Sequence, residues 1–445
     1  LRGRGQIATL ATALGVAAAA LAPATQAADA SIAPLAVESA PPPPPTIVTA
    51  APAPRSPWLA LRMSGYIQAD GTFYNQASED QVDPSTGAPL NQTRYLIRRA
   101  RLHLDVDHGR MAGALEVDFN TVNGASAGVI DAEVTVRARA RDDTGRPWGD
   151  ASIGLLRTPW GYEVLERDQD RFFLERSTVS RALFPGVFDL GARLRAGWRF
   201  INVQLAVMNG DPLADRTLPA QDPNRAKDVV GRIGVSGSRR RVAFSAGLSG
   251  LSGIGFHEGT PATKDVLVWR DQNQDGIVEL SEIQIIPGSP ATPSENFARF
   301  ALGADALVTV AMPRLGTLRV FGEAMWASNL DRGIAPADPI ASGRNLRERG
   351  WVVGVVQQLG PHYAIGGRFD DYNPDADAFE AQGAAVVPVD ASFTTWTGTF
   401  AWCWTALDRV TAEYQHATNP LGLSASGIPT TLGSDTFTVR GQLAW

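Results

Sequence analysis

The segment "DQNQDGIVELSE", residues 271–282, carries the oxygen donors of a calcium-binding loop at the matching intervals. Asp271, Asn273 and Asp275 occupy its first, third and fifth positions, Gly276 the sharp turn, Ile277 a position that offers its carbonyl, Glu279 the ninth position and Glu282 the last. Calcium takes six to eight oxygens in a flexible shell, and this spacing supplies carboxylates, an amide, a main-chain carbonyl and a bidentate glutamate. Such loops normally sit between two helices. Here "VLVW" before the loop is strand-like, and "IQIIPGSPATP" after it is broken by proline. The expectation is a stand-alone loop holding a structural Ca2+, in the longest external segment, residues 250–296, that the ion would order or bridge to anionic lipopolysaccharide. The alternative is a solvated Asp/Asn turn without metal.

No catalytic constellation accompanies it. His103, His108, His257, His362 and His416 are scattered, no Ser or Cys nucleophile motif stands beside them, and Cys403 is the single cysteine. Neither an enzyme nor a disulfide framework is expected. The net charge of −6 argues against a nucleic-acid partner, which needs a basic surface.

The element that must carry the loop is legible in the alternation of residues from 61 onward. In "LRMSGYIQADGTFY" Leu61, Met63, Gly65, Ile67, Ala69, Gly71 and Phe73 are apolar or small, and Arg62, Ser64, Gln68, Asp70 and Thr72 between them are polar. "RARLHLDVD", "GVIDAEVTVRAR" and "DTFTVRGQLAW" repeat the pattern. A period of two means a strand with one oily and one wet face. Segments this long suit a tilted crossing of a bilayer better than a soluble sandwich. Sixteen such segments begin near residues 61, 93, 110, 128, 150, 188, 200, 227, 240, 297, 315, 349, 361, 392, 407 and 435. Short connections alternate with long polar ones, as in outer-membrane barrels, where the short turns are periplasmic. Trp198, Phe200, Trp404 and Trp445 near the turns, and Phe73, Trp326 and Trp351 near the loops, fit interfacial girdles.

The fold expected is therefore all-β: a transmembrane antiparallel barrel over residues 61–445, in a bacterial outer membrane. Ahead of it, residues 1–28 have the basic start, apolar run and small-residue end of a signal peptide, and residues 29–60 form a Pro/Ala-rich periplasmic linker without a core-forming pattern.

"YLIRRARLHLDVDHGRMAGALEVDF", "IDAEVTVRAR", "ASIGLLRTPWGYEVL", "RFFLERS" and "INVQLAVMNGDP" resemble, in order, pieces of the phosphate-selective porin O and P family. The resemblance implies a 16-stranded barrel, a homotrimer and a long loop folded into the lumen as a constriction. The chain departs from the family in its lysines, of which it has only Lys227 and Lys264, where the family's phosphate selectivity is associated with an arginine ladder and a lysine cluster.

With the polar strand faces inward, Arg99, Arg101, Arg137, Arg139, Arg193 and Arg195 line the pore. The constriction candidate, residues 158–186, adds Arg171, Glu175, Arg176 and Arg181. Acidic residues on the same faces, among them Asp105, Asp107, Glu116, Asp118, Asp131 and Glu133, nearly balance the arginines. The function expected is passive diffusion of small hydrophilic solutes, possible anions such as phosphate included. A non-conducting structural or adhesive barrel is the alternative.

Overall fold

The computed structural model describes residues 59–74, 93–138, 148–213, 222–383, 385–420, 422 and 430–445. The signal-peptide segment 1–28, nearly all of the linker 29–60, and Arg139 lie outside the described residues.

In chain order the elements are β1 (Ala60–Tyr74), β2 (Arg94–His108), β3 (Met111–Asn120), β4 (Ser126–Arg137), β5 (Gly149–Arg157), helix α1 (Thr178–Leu183), β6 (Phe188–Trp198), β7 (Ile201–Met208), β8 (Asp228–Arg239), β9 (Val242–His257), β10 (Val266–Trp269), β11 (Ile283–Ile286), β12 (Glu295–Met312), β13 (Gly316–Ser328), helix α2 (Pro339–Ser342), β14 (Arg347–Leu359), β15 (Tyr363–Asn373), β16 (Phe379–Gln382), β17 (Ala385–Pro388), β18 (Phe393–Cys403), β19 (Arg409–Asn419) and β20 (Leu432–Ala444). Sixteen strands close into one antiparallel barrel, while β10–β11 and β16–β17 form two separate hairpins in the long connections. Each barrel strand begins within three residues of the position read from alternation. The connection expected over 250–296 is shorter than that, because β9 continues to His257 and β12 starts at Glu295.

Closure runs through β1 and β20, paired from Tyr66↔Ala444 to Tyr74↔Thr436. Trp445 extends the seam by exchanging backbone bonds with Gly65 at 3.0 and 3.1 Å. A closed barrel leaves no unpaired strand edge, the condition that hydrocarbon imposes on a β-structure. Its outer face is apolar: Ile153, Leu194, Leu248, Leu302 and Trp396 are each more than half exposed, with no protein over them. That surface needs lipid. The chain is a transmembrane β-barrel of the bacterial outer membrane, and no helix among the described residues is long and apolar enough to cross a bilayer.

The inner face is not uniformly polar. Met208, Val230, Leu251, Met325, Val352, Val356 and Ala401 point inward and are buried. They seat apolar side chains of the β5–β6 connection in two clusters, one around Trp160, Val179 and Phe184, the other around Phe172 and Phe173. Gly303 and Gly350 lie directly under Trp160 and Val179, where a β-carbon would collide with those side chains. The run "WVVGVV" in β14, apolar on both faces, is the sequence trace of this seat.

Candidate functional site

Residues 158–187 leave β5 at Arg157 and return at Phe188, their neck closed by a 2.8 Å bond from the Thr158 N–H to the Val187 carbonyl. From there the loop crosses to the opposite wall. The N–H of Gly161 donates to Ser249 Oγ on β9 (3.0 Å), and those of Tyr162 and Glu163 to Glu323 Oε2 on β13 (3.3 and 3.1 Å). The N–H of Thr178 donates to Asp370 on β15 (2.9 Å) and that of Leu174 to Glu413 on β19 (2.9 Å). Polar wall residues thus satisfy loop backbone that would otherwise be buried without partners. Gly161 makes the turn at φ +49°, a conformation costly for a residue with a side chain.

Two loop carboxylates fasten the near side. Asp168 meets Arg101 at 2.7 Å, Arg171 at 2.6 Å and Arg99 at 3.7 Å. Glu175 meets Arg98 at 2.8 Å, Arg99 at 3.0 Å and Arg440 at 3.1 Å. Burial disfavours the charge of both acids, but the surrounding guanidiniums outweigh it and hold each well below the usual carboxylate range. Arg98 and Arg99 are neighbours in sequence yet reach the same acid. The pairing slips between Gln68↔Arg99 and Ala69↔Ile97, so Arg98 is a bulge residue. Strict alternation assigns only Arg99 to the lumen and misses Arg98.

The other candidates divide by their surroundings. On the inner wall Arg137 of β4 pairs with Asp107 of β2 (2.6 Å) and Arg193 of β6 with Glu133 of β4 (2.7 Å), each reaching past one intervening strand, and Arg195 of β6 pairs with Asp150 on adjacent β5 (2.7 Å). Arg171 is buried beneath the loop. Arg176 turns to the end of α1, where it donates to the carbonyls of Ser180 (3.1 Å), Phe184 (2.7 Å) and Pro185 (3.2 Å). Arg181 is exposed on α1. The lumen face of β2–β6 stays partly wet, with Asp105 45% exposed, Arg137 29%, Asp107 27% and Arg195 19% at the side chain. Across the barrel, Glu323, Arg368, Asp370 and Thr411 are buried under the loop. The wetter side chains lie toward the short-turn ends of β2, β4 and β6, and further along the same wall Arg99, Asp118 and Arg193 are buried.

A second inward connection, absent from the sequence reading, narrows the mouth. Asp331, buried after β13, accepts from the N–H groups of Gly333 (2.9 Å), Ile334 and Ala335 (3.0 Å each) and from the Tyr372 hydroxyl (2.5 Å). The N–H groups of Arg332 and Gly333 then cap the Ala182 carbonyl of α1 at 3.1 Å. It also packs Leu330 and, less fully, Ile334 against the cluster around Trp160, Val179 and Phe184.

The segment 271–282 lies at the end of the β10–β11 hairpin. Asp271 accepts from the N–H of Gly276 (2.8 Å) and Asp275 from that of Ile277 (2.7 Å), with Gly276 at φ +74°. Glu282 accepts from Trp269 Nε1 (2.9 Å) and the Gln272 N–H (2.9 Å). These bonds, Trp269's foremost, hold its carboxyl below the usual range. No three Asp, Glu, His or Cys side chains converge as metal ligands among the described residues. The donor types suit calcium, and Trp269 and the Gln272 N–H each engage one oxygen of the Glu282 carboxylate.

No protein-family model matches the sequence. No curated protein matches it either. Solved structures do. The chain is similar to the outer membrane channel DcaP of Acinetobacter baumannii at 11% identity, with a TM-score of 0.52 over 89% of this chain and 100% of that one. It is similar to Pseudomonas putida OprB at 10% identity and TM-score 0.51, over 87% and 94% of the two chains. The anion-selective porin from Comamonas acidovorans gives 10% and 0.50, over 86% and 100%. At such identities the likeness lies in the fold: a sixteen-stranded outer-membrane barrel of the architecture that porins and channels use.

Proposed function

We propose that the protein is an outer-membrane diffusion channel for small hydrophilic solutes, anions such as phosphate among them, working as a homotrimer. The supporting observation is the closed barrel whose β2–β6 inner face is lined by charges of both signs, with Asp105, Asp107, Arg137 and Arg195 open to water. Water-filled space lined by both signs of charge lowers the cost of carrying a polar or charged solute across hydrocarbon. The resemblance to phosphate-selective porins supports an anion preference. The near absence of lysine, and the carboxylates that pair with the arginines, weaken that preference. Planar bilayer recordings test the reading: discrete conductance steps are expected, with a reversal potential in asymmetric salt that reports the charge preference and a block by phosphate if phosphate is carried. Correctly folded protein without conductance would leave the alternative, a structural barrel, which the tight packing of loop against wall favours.

We also propose that residues 271–282 bind calcium, supported by the agreement of donor types and spacing. Because Glu282 holds Trp269, adding calcium is expected to shift the Trp269 emission, and the Glu282→Gln variant is expected to lose that shift. Equal spectra with and without calcium would remove the metal from the account.

A further inference from the structure

Residues 258–294 form one continuous arm beyond the barrel rim. β9 and β12 pair out to His257↔Glu295, and the chain then continues as a ribbon tied by Thr292 to Thr260 (3.0 Å), Thr263 to Ser289 (2.9 Å), the β10–β11 ladder and Arg270 to Glu282 (3.1 Å). Every hydrogen bond described for the arm closes within the arm. Its far half carries Val266, Leu267, Trp269, Ile277, Val278, Leu280, Ile285 and Ile286, between 41% and 90% exposed. A lone two-stranded hairpin is marginal in water. One that shows this much apolar surface and leans on nothing of its own needs a partner.

We propose that the arm docks on a second copy of this chain. Length supports this: from the rim at His257 to the last rung at Arg270 is thirteen residues, roughly 40 Å of ribbon before the terminal loop. Sixteen strands tilted about 40° enclose a barrel roughly 32 Å across, so the arm is long enough to reach an adjacent barrel. Area supports it in part: successive rungs face opposite sides, so one face presents Leu267, Trp269 and Ile285 with the tip residues Ile277, Val278 and Leu280, roughly 360–720 Å² against the ~800 Å² that one partner brings to a stable interface. Without bound calcium, charge disfavours a bare lipid surface, because the arm then holds six acidic residues against Lys264 and Arg270 and is repelled by anionic headgroups.

The test places a photo-crosslinking amino acid at Leu267 or Leu280 of the full chain in intact outer membranes. The expected product is an adduct of two copies of this chain. Adducts only with lipopolysaccharide or with other proteins, or no adduct with this chain, would overturn the proposal. A second measurement guards against a labelling failure. Leu267→Asp, Leu280→Asp and Ile285→Asp combined should lower the detergent-resistant oligomer by about tenfold or more, while the monomer keeps the heat-shifted gel mobility of a folded barrel. An unchanged oligomer would equally overturn it.

Discussion

Replacing Asp168 with alanine is expected to free the constriction loop and enlarge the pore. The carboxylate is buried and stands among Arg99, Arg101 and Arg171, two of them on the wall and one on the loop. Removing one partner of a buried ion pair costs about 3–5 kcal/mol, because the remaining charges stay buried without compensation. Here the uncompensated charges also repel each other across the contact that Asp168 had closed. A shift of that size raises the detached population by roughly 10² to several times 10³-fold. Single-channel recordings should show larger and noisier steps than wild type, with the reversal potential moved toward anions by the lost negative charge. Asp168→Glu, which keeps the charge, should stay near wild type. Identical steps for all three proteins would mean that the ion pairs do not hold the loop.

Replacing Arg440 with methionine is expected to weaken the barrel at its closing seam. Arg440 on β20 makes a two-pronged bond to Asp70 on β1, 2.7 Å on each side, and reaches Glu175 at 3.1 Å. Asp70 and Arg440 are both buried, so the variant leaves one acid stranded between the first and last strands. The expected cost is again about 3–5 kcal/mol, read as a lower midpoint for loss of heat-modified mobility in a temperature series. Arg440→Met paired with Asp70→Leu should recover much of that stability, since replacing both partners of a buried pair by apolar groups is close to neutral. A single variant as stable as wild type would show that the seam rests on its backbone ladder alone.

These two predictions rest on different depths of legibility. The strands, their order and the inward arginines are visible in alternation, because a residue facing lipid and a residue facing water are chemically distinct and succeed each other every step. The loop over the lumen is visible more faintly, in aromatic residues such as Trp160, Phe172 and Phe173 placed where a solvated loop would have none. Arg98 is not visible. A bulge shifts the phase by one residue without changing composition, and only the pairing of Gln68 with Arg99 exposes it. The same happens on β4, where the ladder passes from Glu116↔Asp131 to Val117↔Val129 and Val129, not Ile130, becomes the exposed residue. The second inward connection at Asp331 was also hidden. Its apolar residues Leu330, Ile334 and Ala337 are scattered among polar ones without a period, and the long-range bond from Tyr372 fixes how it folds.

The apolar inner wall shows how the two faces of the barrel share the work. Where the loop rests, β7, β9, β13 and β14 give up polar inward residues for Met208, Leu251, Met325 and Val352. Where solute is proposed to pass, β2–β6 keep theirs. One side of the lumen is a seat and the other the proposed channel wall.

Thiol accessibility measures that division directly. In a Cys403→Ser background, Asp105→Cys places a thiol on the β2 wall and Thr397→Cys places one on β18 beneath the loop. A charged methanethiosulfonate reagent added during single-channel recording should change the conductance of the first within seconds and leave the second unchanged. Modification of both, or of Thr397→Cys alone, would place the aqueous path elsewhere and contradict the account.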